Sequence, residues 1–187
     1  MVEKLNFLGF AGSLRQGSYN RALLVAAQEL LPDETVLEIY PLDGIQLYNA
    51  DIESPLPPQV QDFKQKIKAA DAIIIATPEY NRSIPGVLKN AIDWASRPTG
   101  DNSFDDKPLA IMSASTGMFG ADRAQFALRQ TCVFLNMHAL NRPEITVNFA
   151  AQKFDKDGKL TDETTRKFIK ELLQSLAVWT RRLKTTR

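Results

Sequence analysis

The run Ala72-Ile73-Ile74-Ile75-Ala76 offers no polar residue for a solvated face. A strand that is apolar on both sides must be covered on both sides, which is the condition of a central strand in a parallel sheet layered between helices. Pro78 ends the run, since the residue before a proline is pushed out of regular helix and proline itself cannot donate to a ladder. Everything else in the chain has to be compatible with that strand.

The flanking segments are compatible. Leu5, Phe7, Leu8 and Phe10 form a short apolar run ending at Ala11-Gly12-Ser13, as a buried strand entering a tight loop would. Leu23, Leu24, Ala27, Leu30 and Leu31 recur at helical spacing up to Pro32. Residues 35–40 alternate as a second strand, residues 51–58 with three prolines make a surface loop, and residues 60–70 read as a helix. Beyond the central strand, Ile84, Val87, Leu88, Ala91, Ile92 and Ala95 stripe a helix that opens near Pro85 and stops before Pro98. Residues 109–112 read as a fourth strand, and residues 121–137 as a helix carrying Ala124, Leu128, Cys132 and Leu135. Ile145, Val147 and Phe149 alternate as a fifth strand, and Ile169, Leu172, Leu173, Leu176 and Leu183 mark a long last helix. Strands alternating with helices predict an α/β fold: a doubly wound, five-stranded parallel sheet with right-handed crossovers and helices on both faces. At 187 residues the whole chain, 1–187, is expected to be one domain around that sheet.

In doubly wound sheets, ligands bind beyond the carboxyl ends of the strands. Three loops leave such ends here: residues 12–20, 78–83 and 113–120. The first, Gly12-Ser13-Leu14-Arg15-Gln16-Gly17-Ser18-Tyr19-Asn20, puts hydroxyls, an amide and a guanidinium before a helix N-terminus, a combination suited to a phosphate. The same Ser and Asn types also serve as ordinary helix caps. Gly12 and Gly17 have P-loop spacing, but Ser18 and Tyr19 stand where the lysine and the magnesium-binding hydroxyl belong. Gly9, Gly12 and Gly17 do not make the dinucleotide fingerprint either. Cys132 is the only cysteine and has His138, not arginine, six residues on, which removes the thiol phosphatases that use similar sheets. With one cysteine and one histidine, neither a disulfide nor a Cys/His metal cluster is expected. His138 reads as structural, and Trp94 and Trp179 as packing or interface residues on helical patterns.

Formal charge is only +1. Residues 151–187 carry ten Lys or Arg against five Asp or Glu, interleaved on a helical pattern, which reads as a solvated helix face rather than a nucleic-acid surface. No segment approaches 18 apolar residues and the N-terminus lacks a secretory pattern, so a cytoplasmic protein without a membrane span is expected.

Taken together, Gly12-Ser13-Leu14-Arg15 with Ser18 and Asn20, then Pro78-Glu79-Tyr80-Asn81, Pro85-Gly86 and Leu88-Lys89-Asn90-Ala91-Ile92-Asp93-Trp94 strongly resemble the NADPH-dependent FMN reductase family, in particular its chromate and quinone reductase branch. The resemblance runs over nearly the whole chain. It implies a flavodoxin-like fold with strand order 2-1-3-4-5, non-covalent FMN, and NADPH or NADH as electron donor. It also implies two-electron reduction of a small acceptor by a ping-pong route, the acceptors being quinones, free flavin, azo dyes or metal oxyanions such as chromate. By position, Ser13, Arg15, Ser18 and Asn20, with Tyr19 among them, would hold the FMN phosphate. Pro78, Glu79, Tyr80 and Asn81 would lie against the isoalloxazine ring, and Ser115, Thr116 and Gly117 near its polar edge. Because a flavin supplies its own hydride acceptor, no catalytic side chain and no metal is expected. Met118 and Phe119 are candidates for facing the nicotinamide, a neighbouring subunit or neither, as plain loop apolars, with the first preferred, while Arg82 and Arg123, like Arg15, are candidates for meeting a 2′-phosphate. The family implies a homodimer or homotetramer, with Arg123, Phe126 and Glu144 as interface candidates. The competing expectation is a non-enzymatic flavodoxin-like electron carrier or adaptor, which the near-neutral charge weakens.

Overall fold

The computed structural model describes residues 4–185. Its strands are β1 (Leu5–Ala11), β2 (Thr35–Tyr40), β3 (Ala72–Thr77), β4 (Pro108–Ala114), β5 (His138–Ala139) and β6 (Ile145–Val147). The helices are α1 (Tyr19–Glu29), α2 (Pro58–Ala69), α3 (Gly86–Ala95), α4 (Asp122–Phe134) and α5 (Glu163–Thr185). All pairings in the sheet are parallel, in the order β2-β1-β3-β4-β5, with β6 also paired to β4. The predicted doubly wound architecture and strand order are present, and β3 is buried at every position.

Successive residues of β3 feed two separate cores, as strand geometry requires. Ile74 points to the layer built with Phe7, Leu24, Met112, Leu173 and Leu176, under α1 and α5. Ile73 and Ile75 point to the layer built with Phe10, Phe63, Leu88, Ile92 and Leu128, under α2, α3 and α4. Phe10 meets Phe63 edge-on, with ring centroids 5.3 Å apart. Trp94 is fully buried and its Nε1 donates to the Gln46 carbonyl at 2.8 Å, while Trp179 Nε1 donates to the His138 carbonyl at 3.2 Å. Among the described residues no helix is long and apolar enough to cross a membrane.

The fifth sheet position departs from the predicted single strand. His138–Ala139 pairs with the start of β4, and Ile145–Val147 pairs with its end. Phe149 is outside the strand: its φ of 46° is left-handed, and it turns the chain into a short 3-10 segment at residues 150–152. The alternation Ile145, Val147, Phe149 therefore overshoots the strand by a turn. His138 is tied through Nε2 to the Asp106 carboxylate at the same sheet edge, a structural contact.

The connection after α3 is held by a buried cation. Lys64, on α2, donates from Nζ to the carbonyls of Ala95 at 3.1 Å and Asp101 at 2.7 Å, and to that of Arg97. Its Nζ also lies 3.2 Å from the Asp101 carboxylate. Burial pushes the Lys64 ammonium down from its usual value, and the Asp101 carboxylate opposes that shift. One side chain thus gathers the C-terminal end of α3 and the loop leading to β4.

Candidate functional site

The three loops predicted from sequence converge at the carboxyl ends of β1, β3 and β4. They enclose a cup of about 200 Å³ lined by Ser13, Arg15, Ser18, Tyr19, Asn20, Pro78, Glu79, Tyr80, Ala114, Ser115 and Thr116. Asn81 and Gly117 continue the same two loops just beyond it.

The first loop has the chemistry of an anion cradle. Ser18 is the N-cap of α1, its Oγ accepting from the Arg21 N–H at 3.4 Å, and Ser13 Oγ accepts from the Arg15 N–H at 3.4 Å. The first turn of α1 carries no acidic side chain. Among the described residues nothing accepts from the N–H groups of Tyr19 and Asn20, which open the helix. Free N–H groups, the positive end of the helix dipole and two hydroxyls make a site for a phosphate. Arg15 is exposed and its guanidinium donates to the Gly17 carbonyl at 2.7 Å, which folds it back over the loop. Gly12 lets the loop pass close over α3: a Cβ there would meet Leu88 Cβ at 3.2 Å, so a side chain would oblige Leu88 to shift by a few tenths of an ångström.

Asn20 has a different job from its neighbours. Its Nδ2 donates to the Ala114 carbonyl at 3.0 Å and its Oδ1 accepts from the Ala114 N–H at 2.9 Å, both buried. The carboxamide therefore ties the start of α1 to the end of β4 and fixes the spacing between the first and third loops. Tyr19 packs its ring on Phe154, with centroids 5.1 Å apart.

The second loop is a tight hairpin turn. Tyr80 and Ser83 exchange both backbone hydrogen bonds at 3.0 Å, and Asn81 (φ 52°) and Arg82 (φ 63°) are both left-handed, the geometry of a type I′ turn. Asn tolerates that region and Arg does not, so the turn stores roughly 1 kcal/mol of strain at Arg82. Tyr80 stands 54% exposed at the rim. Glu79 turns away from solvent: its Oε2 accepts from the Arg123 N–H at 3.1 Å, and its Oε1 from the Arg123 guanidinium at 3.3 Å. It serves as the missing cap of α4, whose own N-cap, Ala121, has no side chain to do so.

The third loop is strapped to the segment after β6. Ser115 N–H donates to the Val147 carbonyl at 3.0 Å, Ala150 N–H to the Ser115 carbonyl at 3.0 Å, and Phe149 N–H to the Gly117 carbonyl at 3.2 Å. Ser115 Oγ accepts from the Gly117 N–H at 3.0 Å. Gly120, at φ 57°, lies so close to β6 that a Cβ would come within 2.8 Å of the Thr146 carbonyl carbon. Beneath, Gln125 Nε2 donates to Ser113 Oγ and to the Ile145 carbonyl, both at 2.8 Å, and Ser113 Oγ donates to the Gly120 carbonyl at 2.6 Å. The left-handed turn at Phe149, outside the predicted strand, is what lets residues 149–150 supply two of the straps.

Every site residue predicted from sequence lies at or beside one cup. What sequence reasoning missed is Ala114 as a wall residue, the Asn20–Ala114 tie and the Glu79–Arg123 pair. The only local signal for the last was a helix beginning at residues 121–122 without a side-chain cap. Cys132, by contrast, lies buried inside α4, where desolvation pushes its thiol up to about 12. The donor set fits the phosphate end of FMN, and the rim formed by residues 80–81 and 115–117 fits a planar ring with one face left open. The cup alone is smaller than a whole flavin nucleotide, so such a ring would sit on the rim rather than inside.

Residues 5–152 match the family model described as NADPH-dependent FMN reductase. An NAD(P)H-dependent FMN reductase of Pseudomonas aeruginosa is 50% identical over 185 residues, covering 98% of this chain and 100% of that protein. An NAD(P)H:quinone oxidoreductase of Solanum tuberosum is 46% identical, covering 94% of this chain and 93% of that one. Among solved structures, FerB of Paracoccus denitrificans, described as a flavoenzyme NAD(P)H:(acceptor) oxidoreductase, superposes with a TM-score of 0.87 at 34% identity, covering 95% of this chain and 98% of that chain.

Proposed function

This chain belongs to the NADPH-dependent FMN reductase family and is an NAD(P)H-dependent oxidoreductase, and we propose that it binds FMN in the three-loop cup and passes electrons to quinones and free flavin. The observation that carries the reading is the start of α1: an acid-free helix N-terminus with unpartnered N–H groups at Tyr19 and Asn20, roofed by Ser13, Ser18 and Arg15. When bound, FMN would supply the two-electron hydride chemistry between nicotinamide and acceptor.

The protein's part is to bind, orient and leave one side open. The first loop, through Ser13, Ser18, Arg15 and the N–H groups of Tyr19 and Asn20, would hold the phosphate dianion. Asn20, through Ala114, sets the distance from that phosphate to the third loop. The Tyr80 turn and the strapped Ser115–Gly117 segment would bracket the ring, and the Thr116 N–H, which has no partner among the described residues, would be the third-loop donor to its polar edge, where negative charge grows on reduction. The carboxylate in the wall, Glu79, is committed to Arg123, which keeps an unpaired negative charge away from that edge. Azo dyes and metal oxyanions such as chromate are further acceptors on the same reading, since an open ring face selects by access and potential rather than by a shaped pocket. A second copy of the chain is proposed to cover α4, where Phe126, Val133 and Phe134 are all exposed.

The test is an anaerobic visible spectrum after loading with FMN and removing the excess, followed by stepwise NADPH or NADH. A retained flavin bleached by stoichiometric nicotinamide and recoloured by 1,4-benzoquinone is the expected result. Flavin retained but not bleached would return the protein to the electron carriers, and no retained flavin would discard the site.

A further inference from the structure

Arg123 joins the two loops that bracket the proposed ring site. It is the second residue of α4; its N–H and its guanidinium both bond Glu79, in the loop after β3, at 3.1 and 3.3 Å. The carbon at the centre of the same guanidinium lies 4.0 Å from the centroid of the Phe119 ring, in the loop after β4. One cation is thus sandwiched between a carboxylate on one wall and an aromatic face on the other, with the Glu79 side chain only 16% exposed.

Phe119 is 51% exposed in spite of this contact, beside Met118 at 62%. Its backbone is fixed on both sides: its carbonyl accepts from the Asp122 N–H at 3.0 Å, and the next residue is Gly120, pressed against β6. A large apolar ring in the loop that continues the Ser115–Thr116 wall of the cup, packed against a guanidinium and half exposed, has already met part of the ordering cost that a mobile side chain would meet on binding. Resting on the flavin reading above, we propose that Phe119, positioned by Arg123, is the platform on which planar acceptors stack. Arg123 is then a positioning residue and Phe119 the specificity-determining contact. Flat quinones gain from the platform, and an acceptor that cannot stack gains nothing.

The test uses full-length protein loaded with FMN, reduced anaerobically with dithionite so that the nicotinamide step is bypassed. The reduced protein is reoxidised in a stopped-flow instrument by 1,4-naphthoquinone or by ferricyanide, an octahedral ion without a face to stack. Phe119→Ala is expected to lower the ratio of the naphthoquinone to the ferricyanide rate constant by tenfold or more, and Arg123→Lys, which keeps the charge but loses the flat guanidinium, by threefold or more. Phe119→Tyr should restore the ratio. A ratio within twofold of wild type in Phe119→Ala, or equal losses with both acceptors, overturns the platform while leaving the cofactor reading intact. Failure of the wild type to retain FMN overturns both.

Discussion

The carboxamide of Asn20 satisfies both the N–H and the C=O of Ala114, 94 residues away, at 2.9 and 3.0 Å. It stands in for the neighbouring strand that the end of β4 lacks on that side, and it places a helix start against a strand end. Asn20→Ala should leave two buried backbone groups unpaired and cost about 2–4 kcal/mol of folding stability. Urea denaturation measures this, and loss of FMN affinity should accompany it because the first loop is released from the third. A variant as stable as wild type would show that the tie is not needed.

Arg15 faces solvent and bonds the Gly17 carbonyl within its own loop. A charge so placed is screened, so Arg15→Ala should weaken FMN binding by about 1 kcal/mol, roughly fivefold in Kd, with a smaller effect at high salt. Flavin fluorescence titration at two ionic strengths gives the answer; a hundredfold loss would mean that Arg15 swings inward onto the phosphate.

Lys64 donates to three carbonyls that close the connection between α3 and β4. Lys64→Met preserves the stem and removes the donors, leaving those carbonyls without their cation while Asp101 keeps its pair with Lys68. A loss of about 2–3 kcal/mol is expected at neutral pH, read from the denaturation midpoint.

Asp162 caps α5, accepting from the Thr165 hydroxyl and, at 2.9 Å, from the Thr165 N–H. These hydrogen bonds, the hydroxyl first, hold its carboxyl below the usual carboxylate range. A folded-state value below the unfolded one means the cap contributes fully above about pH 4 and is lost as pH falls through the folded value. Asp162→Ala should therefore cost about 1 kcal/mol at pH 7. The gap between variant and wild type should narrow below about pH 4 in thermal melts; a gap that does not change with pH would rule out the charged cap.

Features written in contiguous residues were legible before the fold was seen. The apolar run of β3 has only one comfortable environment, and the parallel sheet with three loops at its strand ends follows from it; the strand order and the individual site residues came with the family resemblance. Asn20 fits a phosphate loop by type and place; its actual partner is a backbone group, which every residue type but proline would offer at position 114. Glu79 and Arg123 are 44 residues apart and meet only because β3 and β4 are neighbours. The break between β5 and β6 was hidden for another reason. A two-residue strand carries no period, and the alternation through Phe149 continues past the point where backbone hydrogen bonding has already left the sheet.

That break bears on how the molecule behaves in a crowded solution. A straight, uninterrupted border strand is a template on which another chain can add its own, the first step toward fibrous or amorphous aggregates. Here the far border consists of two residues beside Pro108–Leu109 and three beside Met112–Ala114, with no ladder partner between them. An incoming strand would find too few consecutive groups to zip onto, so the gap guards that side of the molecule against uncontrolled self-association.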